Sequence, residues 1–483
     1  MEVIAPTNVD IKQESLTVSL ADADKILGQA TFQPYGFDGR LQATLYWVWN
    51  TSGLPPGSHR LQFTIPALGW TWEEQLELLP AEQLPKNERN ARWETTESQC
   101  CNLYYISGSA AERDLNFLEQ TVDEQYNAVQ KNLPAELKNP LGIVFIPRVL
   151  GQGGFAAGEV SISYLDRNYT AGDPATILRH EMVHALDAQR EGGFRPSLFV
   201  EGLAVYLSGG HYRPEPLMPR AAALIPLRRY ILLEDLADNF YHEQHELSYL
   251  EAGALVEYMV QRWGWEAFED FYRHITSENN EKPSQSIDRA LQQHFQLSLS
   301  HLEQDFVSAL GEQILSPNAE QDIHSLATYY DVIRRYQQEL DPSAYFKSGW
   351  MLNAADLRER GIVADYWRRP SSPLNLTLEI LLNQAGRARQ SGDFAHCEEI
   401  TQAVSLVLDR WEANDPEPYR IHPQAQTAWE IVQLLLAAGY EPQRLDFYDQ
   451  AATAWVITHH GALAEIHLRF SANAWTIQSI LQR

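Results

Sequence analysis

His180 and His184, with Glu181 after the first of them, form an H-E-x-x-H, the pattern in this chain with the clearest chemical meaning. Histidines at i and i+4 on a helix stand about one turn apart on one face, so both imidazoles reach one metal ion. Glu181 sits beside them, placed to hydrogen-bond a water on that metal rather than to ligate it. With 15 histidines in 483 residues the motif arises by accident in roughly 4% of such chains, so its surroundings must carry the argument. A working site needs a third ligand, and Glu191, Glu201 and Glu215 are the candidates. Glu191 precedes Gly192-Gly193 in a connecting loop, and Glu215 sits between prolines. Glu201 lies in an apolar run with Phe199, Val200, Leu203, Ala204 and Leu207, where an unmatched carboxylate costs several kcal/mol. A zinc ion would match it. Two histidines, one carboxylate and an open position describe a catalytic Zn2+ site rather than a structural one. The longer metzincin motif fails, because Asp187 and Arg190 occupy its Gly and His positions.

Such a site needs rigid supports. Pro174 opens the helix ATILRHEMVHALDAQ at its first turn, and SLFVEGLAVYLSG ends at Gly209 and Gly210. Upstream, CNLYYIS reads as a strand. SAAERDLNFLEQTVDEQYNAVQ reads as one amphipathic helix, with Ser109 and Glu112 in a capping-box pattern. LGIVFIP is a buried strand, GQGGFAAG a Gly-rich loop and VSISY an alternating strand. Further helices come around LSYLEAGALVEYMVQRW, AFEDFYRHI and LSHLEQDFVSALGEQIL.

On these residues the chain resembles the gluzincin zinc metallopeptidases, in particular the bacterial peptidase MA-like family. RHEMVHALDAQ followed by FVEGLAVYLSG carries the resemblance. It runs back to AERDL, LGIVFIP and GGFAAGEVSISYLDR and on to SYLEAGALVEYMVQRWGWEAF, about residues 93 to 275. The resemblance implies a thermolysin-like α+β domain with an edge strand bordering a cleft and two zinc-binding helices beneath it. It implies His180, His184 and Glu201 as the zinc ligands and Glu181 as the general base. VSISY would be the edge strand, able to pair with an extended peptide. Thermolysin-like members carry an Asp four residues after the ligand Glu to orient a histidine, but Val205 stands there. Asp187 is the substitute, with plain solvent exposure as the other reading. Clan aminopeptidases bind the substrate amine through a Glu in G-x-M-E-N. Glu159 has the corresponding place, although A-A-G-E-V departs from that motif and a strand-flanking surface Glu also fits. Gluzincins stabilise the oxyanion with a Tyr or His, and Tyr249 at the start of its helix matches, with Tyr241, His242 and Tyr206 as competitors. The implied activity is zinc-dependent hydrolysis of peptide bonds in a peptide or protein substrate. The alternative is a non-catalytic zinc-containing scaffold or binding protein of peptidase-like fold, against which the intact Glu181 argues.

Beyond the site, the chain reads as multidomain. Residues 1–88 predict an all-β sandwich of immunoglobulin or fibronectin type, from LQATLYWVW, LQFTI and WEEQLELL. Trp47, Trp49, Trp70 and Trp72 suit its core and strand packing better than a sugar-stacking face. Pro80 and Pro85 mark a linker. Residues 93–316 form the metallopeptidase domain and 317–440 a helical one, with a helix pair hinged at Gly392-Asp393. Residues 441–483 form a small β element with strands AATAWVIT, ALAEIHLRF and AWTIQSIL, His459 and His460 lying in a turn. His242 and His245 read as surface residues. The chain carries 37 basic and 64 acidic side chains, net charge −27, which disfavours nucleic acid and anionic membranes. No apolar run reaches the ~18–20 residues of a membrane span. MEVIAPTNVD lacks the signature of a signal peptide, while the family resemblance favours an exported or cell-surface protein. Three cysteines exclude a disulfide scaffold, and the adjacent Cys100 and Cys101 are expected to stay unbridged.

Overall fold

The computed structural model describes residues 2–482 apart from 7–8, 22–24, 36–39, 46–48, 50, 52, 84–88, 136–138, 152, 346–353, 368 and 459–460. Part of the predicted strand LQATLYWVW, the linker at Pro85 and the turn at His459-His460 lie outside the described residues. The chain forms two compact units, Met1–Asn90 with Tyr345–Trp350, and Ala91–Ala344 with Met351–Arg483. Residues 93–316, 317–440 and 441–483 thus share the second unit, apart from 345–350.

In the first unit, β1 (Glu2–Ile4), β4 (Gln33–Tyr35) and β5 (Arg40–Thr44) form one sheet in the order β1-β5-β4. The second sheet runs β3-β2-β6-β7 and comprises β2 (Ser15–Leu20), β3 (Lys25–Thr31), β6 (Gly57–Ile65) and β7 (Trp70–Leu78). All pairings are antiparallel. Alternation decides the faces: Leu16 and Val18 on β2 and Leu61, Phe63 and Ile65 on β6 turn inward to meet Phe32, Ala43 and Leu45. Trp72 stacks on Phe63 at 5.1 Å, a packing role.

The second unit opens with β8 (Trp93–Glu97), β9 (Cys101–Ile106), α1 (Ala110–Arg113), α2 (Leu115–Gln130), β10 (Leu141–Ile146), β11 (Gly154–Ala157) and β12 (Glu159–Ser163). The sheet order is β11-β12-β10-β9-β8, parallel at its centre with both edge strands antiparallel. Two expectations change here. VSISY is not the edge strand, because the Gly-rich stretch expected to be a loop pairs outside it, Gly154 opposite Ile162 and Ala157 opposite Glu159. The helix expected from 109 to 130 breaks at Asp114, whose carboxylate takes Arg113 and the Tyr164 hydroxyl. Glu112 accepts from the Gly108 amide, and Ser109 makes no side-chain cap. Cys100 and Cys101, expected to be unbridged, form a disulfide.

Next come α3 (Pro174–Asp187), α4 (Ser197–Ser208), α5 (Leu217–Ala222), α6 (Leu233–Asn239), α7 (His245–Trp263), α8 (Trp265–Arg273), α9 (Pro283–Phe295) and α10 (Leu299–Gly311). α11 (Ala319–Leu340) joins two cores: Ile323 and Ala327 belong with the sheet and the helices before it, Tyr329, Tyr330, Ile333 and Tyr336 with the C-terminal core. That second core takes in α14 (Pro373–Gln390), α15 (Phe394–Glu412) and α16 (Pro423–Ala437), after the short α12 (Ala354–Glu359) and α13 (Ala364–Trp367). Gly392, at φ 81°, makes the turn between α14 and α15. The chain closes with a four-stranded antiparallel sheet, β13 (Tyr440–Tyr448), β14 (Ala451–Thr458), β15 (Leu463–Ser471) and β16 (Ala474–Gln482), in sequence order. Its first strand carries Pro442 and a bulge before Arg444. No helix among the described residues is long and apolar enough to cross a membrane.

Candidate metal centre

α3 starts where Pro174 fixes φ and the Asp173 carboxylate accepts from the Thr176 amide at 2.9 Å, which sets the register of everything after it. Met182, Val183 and Leu186 on α3 and Leu198, Phe199 and Leu203 on α4 are buried in the same core. Each such side chain contributes ~1.5–3 kcal/mol, so the helix pair is held rigidly. α4 also crosses α7 closely. A Cβ at Gly202 would sit 2.6 Å from the Ala252 carbonyl oxygen, so only glycine permits this approach. Glu201 is its neighbour.

This packing brings the three expected ligands together. Glu201 Oε2 lies 3.3 Å from His180 Nε2 and 3.2 Å from His184 Nε2, and the two Nε2 atoms are 3.1 Å apart. Three ligand atoms facing one point suit a cation between them. The electrostatics agree. Burial would push the Glu201 carboxyl up, yet charge on His184 and hydrogen bonds from both imidazoles hold it well below its ordinary value. Burial lowers His180. For His184 burial acts in the same sense, but Glu201, with Glu181 and Asp187 behind it, outweighs it and lifts the imidazole to about 9. The carboxylate therefore demands a positive charge, which the chain alone draws from His184 and which a divalent ion would supply in its place. The residues fit zinc.

Glu181 points to the edge strand. A Cβ at Gly154 would come within 3.1 Å of Glu181 Oε1 and 2.7 Å of Ile177 Cγ2, so β11 lies directly against the carboxylate. Burial pushes Glu181 up to about 7, with His184 opposing and Glu201 adding to the rise. Near neutrality such a carboxyl can both accept and return a proton.

The other expected residues divide. Tyr249 lies a full turn inside α7 rather than opening it, because the helix starts at His245 after Gln244 caps it. Its ring packs among histidines, 5.9 Å from His180 and 4.1 Å from both His211 and His245, centroid to centroid. The hydroxyl that touches the ligands belongs to Tyr241, which donates to Glu201 Oε1 at 2.7 Å. His245, expected at the surface, is buried, whereas His242 is exposed. Asp187 is buried and accepts from the Tyr272 hydroxyl at 2.9 Å and from Arg273 at 2.5 Å, with Arg195 3.4 Å away. It anchors α8 rather than orienting a histidine. His180 Nδ1 has no hydrogen-bond partner among the described residues. Glu159 pairs with Arg358 at 2.6 Å, Glu191 is exposed and Glu215 pairs with Arg220. His211 was invisible in sequence: it comes after the glycine stop of α4 as a lone histidine, and only the fold tilts it against His180, ring centroids 5.3 Å apart.

Asp270, His274 and His294 form another group able to hold a metal. It is mostly exposed, and His274 Nδ1 is engaged by the Asp270 carbonyl oxygen at 2.7 Å. No protein-family model matches the chain, and a search of curated proteins finds no match either.

Proposed function

We propose that the chain is a zinc-dependent peptidase of gluzincin type. The observation that carries this reading is the convergence of His180, His184 and Glu201, with Glu181 held between them and an edge strand. Zinc, when bound, supplies a Lewis acid and lowers the pKa of water it holds. The rest is the work of this chain's own side chains and backbone. β11 is an edge, so an extended peptide can add to it by main-chain hydrogen bonds, which brings its backbone alongside Glu181. Glu181, lifted to about 7, takes a proton at its carboxylate and returns it to the leaving amine. Tyr241, whose hydroxyl donates to the ligand carboxylate, holds Glu201 in place. Glu159 is engaged by Arg358 rather than held open for a substrate amine.

A digest of a diverse peptide library by the wild type and by Glu181→Gln tests the reading. The variant keeps the size of the side chain and removes its basicity, so it should retain zinc and lose at least ~10²-fold in hydrolysis. If neither protein cleaves, the scaffold reading replaces this one.

A further inference from the structure

Asp270, His274 and His294 meet where α8 ends against α9, in a group that shares no residue with the His180 centre. Asp270 and His274 stand one helical turn apart at the end of α8, and His294 comes from the last turn of α9. Their supports are rigid. Phe268, Phe271 and Tyr272 bury α8 in the core, and Ile287, Ala290 and Leu291 do the same for α9. Arg273 ties the end of α8 to Asp187. The His294 ring packs edge-on to Phe271, centroids 6.1 Å apart, and its side chain is only 19% exposed. Asp270 and His274 instead reach into solvent.

Each Asp270 oxygen faces a different imidazole. Oδ1 lies 3.2 Å from His274 Nδ1, and Oδ2 lies 3.1 Å from His294 Nδ1. One ligand atom from each of the three residues falls within 4.8 Å of the others. Zinc bonds of ~2.0–2.1 Å at tetrahedral angles put neighbouring ligand atoms about 3.3 Å apart, so the group needs little rearrangement to close on an ion. The Asp270 carbonyl oxygen accepts from His274 Nδ1 at 2.7 Å. Ligating histidines commonly give their second ring nitrogen to such a carbonyl, and the exposed His274 ring can turn to offer the other. Among the described residues no Lys or Arg pairs with Asp270, although its neighbour Glu269 takes both Arg190 and Arg273. The Asp270 charge is therefore left to the imidazoles and to whatever cation they can bind with it.

We infer that Asp270, His274 and His294 form a second metal site, which takes one divalent transition-metal ion of the zinc type and bridges α8 to α9. Two imidazole nitrogens select such an ion over calcium and magnesium, which take oxygen ligands. Two of the three ligands are in solvent, so water fills the remaining positions and the ion is held more weakly than at the buried centre. The inference is independent of the peptidase reading.

Calorimetric titration of the full chain with zinc, in wild type and in Glu201→Ala, separates the two sites. A zinc-binding step should persist in Glu201→Ala, and adding His294→Gln should weaken it at least ~10-fold. His274→Ala, at an exposed position, should do the same and serves if the His294 variant does not fold by circular dichroism. A ten-fold excess of magnesium should leave the step in place. Crystals soaked in zinc should show an anomalous peak between Asp270 and His294. No step in folded Glu201→Ala, a step that either histidine variant leaves unchanged, displacement by magnesium, or no peak at α8 and α9 would each overturn the inference. Failure of the His180 centre reads differently, as identical titrations of wild type and Glu201→Ala with the His294-dependent step intact.

Discussion

Gly202→Ala tests the packing that fixes Glu201. The added Cβ would lie 2.6 Å from the Ala252 carbonyl oxygen, 2.9 Å from its carbon and 3.0 Å from Val256 Cγ2. An ordinary carbon–oxygen contact is about 3.4 Å, so α4 and α7 must separate by roughly 0.8 Å at their crossing. The obstacle is helix backbone, which cannot swing aside as a side chain would. Overpacking of this kind costs ~1–3 kcal/mol, and a backbone obstacle puts it at the upper end. Replacing glycine by alanine within a helix returns up to ~1 kcal/mol, leaving a net loss of about 2 kcal/mol. Gly311→Ala is the matched control, because that position is also helical and nothing lies within 4 Å of its added Cβ. It should gain up to about 1 kcal/mol. Urea unfolding followed by circular dichroism reads both. Because Glu201 adjoins the crossing, Gly202→Ala should also hold zinc more weakly in competition with a chelator. Equal stabilities for the two variants would refute the argument that the crossing is closed to any side chain.

Tyr241→Phe should weaken zinc binding by about 10- to 100-fold, since it removes the hydroxyl that orients Glu201, while Tyr249→Phe should change it less than about two-fold. Chelator competition measures both, and equal effects would refute the assignment of the Glu201-orienting hydroxyl to Tyr241. Asp341 carries a pH prediction: burial first, then the charge of Glu379, raises it from 3.8 to about 6 against the opposing Arg148. An acid raised on folding stabilises fully below its unfolded pKa, and this contribution disappears as pH climbs through about 6, amounting to about 3 kcal/mol. Asp341→Asn should therefore gain on the wild type by about that much between pH 3.5 and 7 in urea unfolding. A constant difference across that range would contradict the assignment.

The two helices that carry the candidate ligands were legible because every cue about them is local. Pro174 with Asp173 starts one, Gly209 stops the other, and the apolar run around Glu201 raises the question that two histidines answer. The edge strand was not legible. Glycine and alanine carry no alternation, and β11 becomes a strand only through pairing with β12 and contact with α3. The break at Asp114 likewise depends on Tyr164 and Asp166, some 50 residues away in sequence, which tie down Asp114 and Arg113. Tyr241 and Tyr249 are both tyrosines near the start of α7, and no periodicity distinguishes a ring that stacks on histidines from a hydroxyl that reaches a carboxylate. β13 was hidden by Pro442 and its charged neighbours, tolerated on an edge strand at a bulge. The strand LQFTI, by contrast, was legible, because its alternation is local and puts Leu61, Phe63 and Ile65 on the one face that the core buries.

The central claim is that His180, His184 and Glu201 hold a zinc ion together, and zinc content per chain tests it most directly. Purified protein equilibrated with zinc and then freed of excess by gel filtration should retain about one ion at the centre, and Glu201→Ala, folded by circular dichroism, should retain almost none there. His274→Ala, included in both proteins, removes any contribution from the exposed Asp270 group. Stoichiometric zinc surviving in the Glu201→Ala background, or none in the protein with Glu201 intact, would contradict the account.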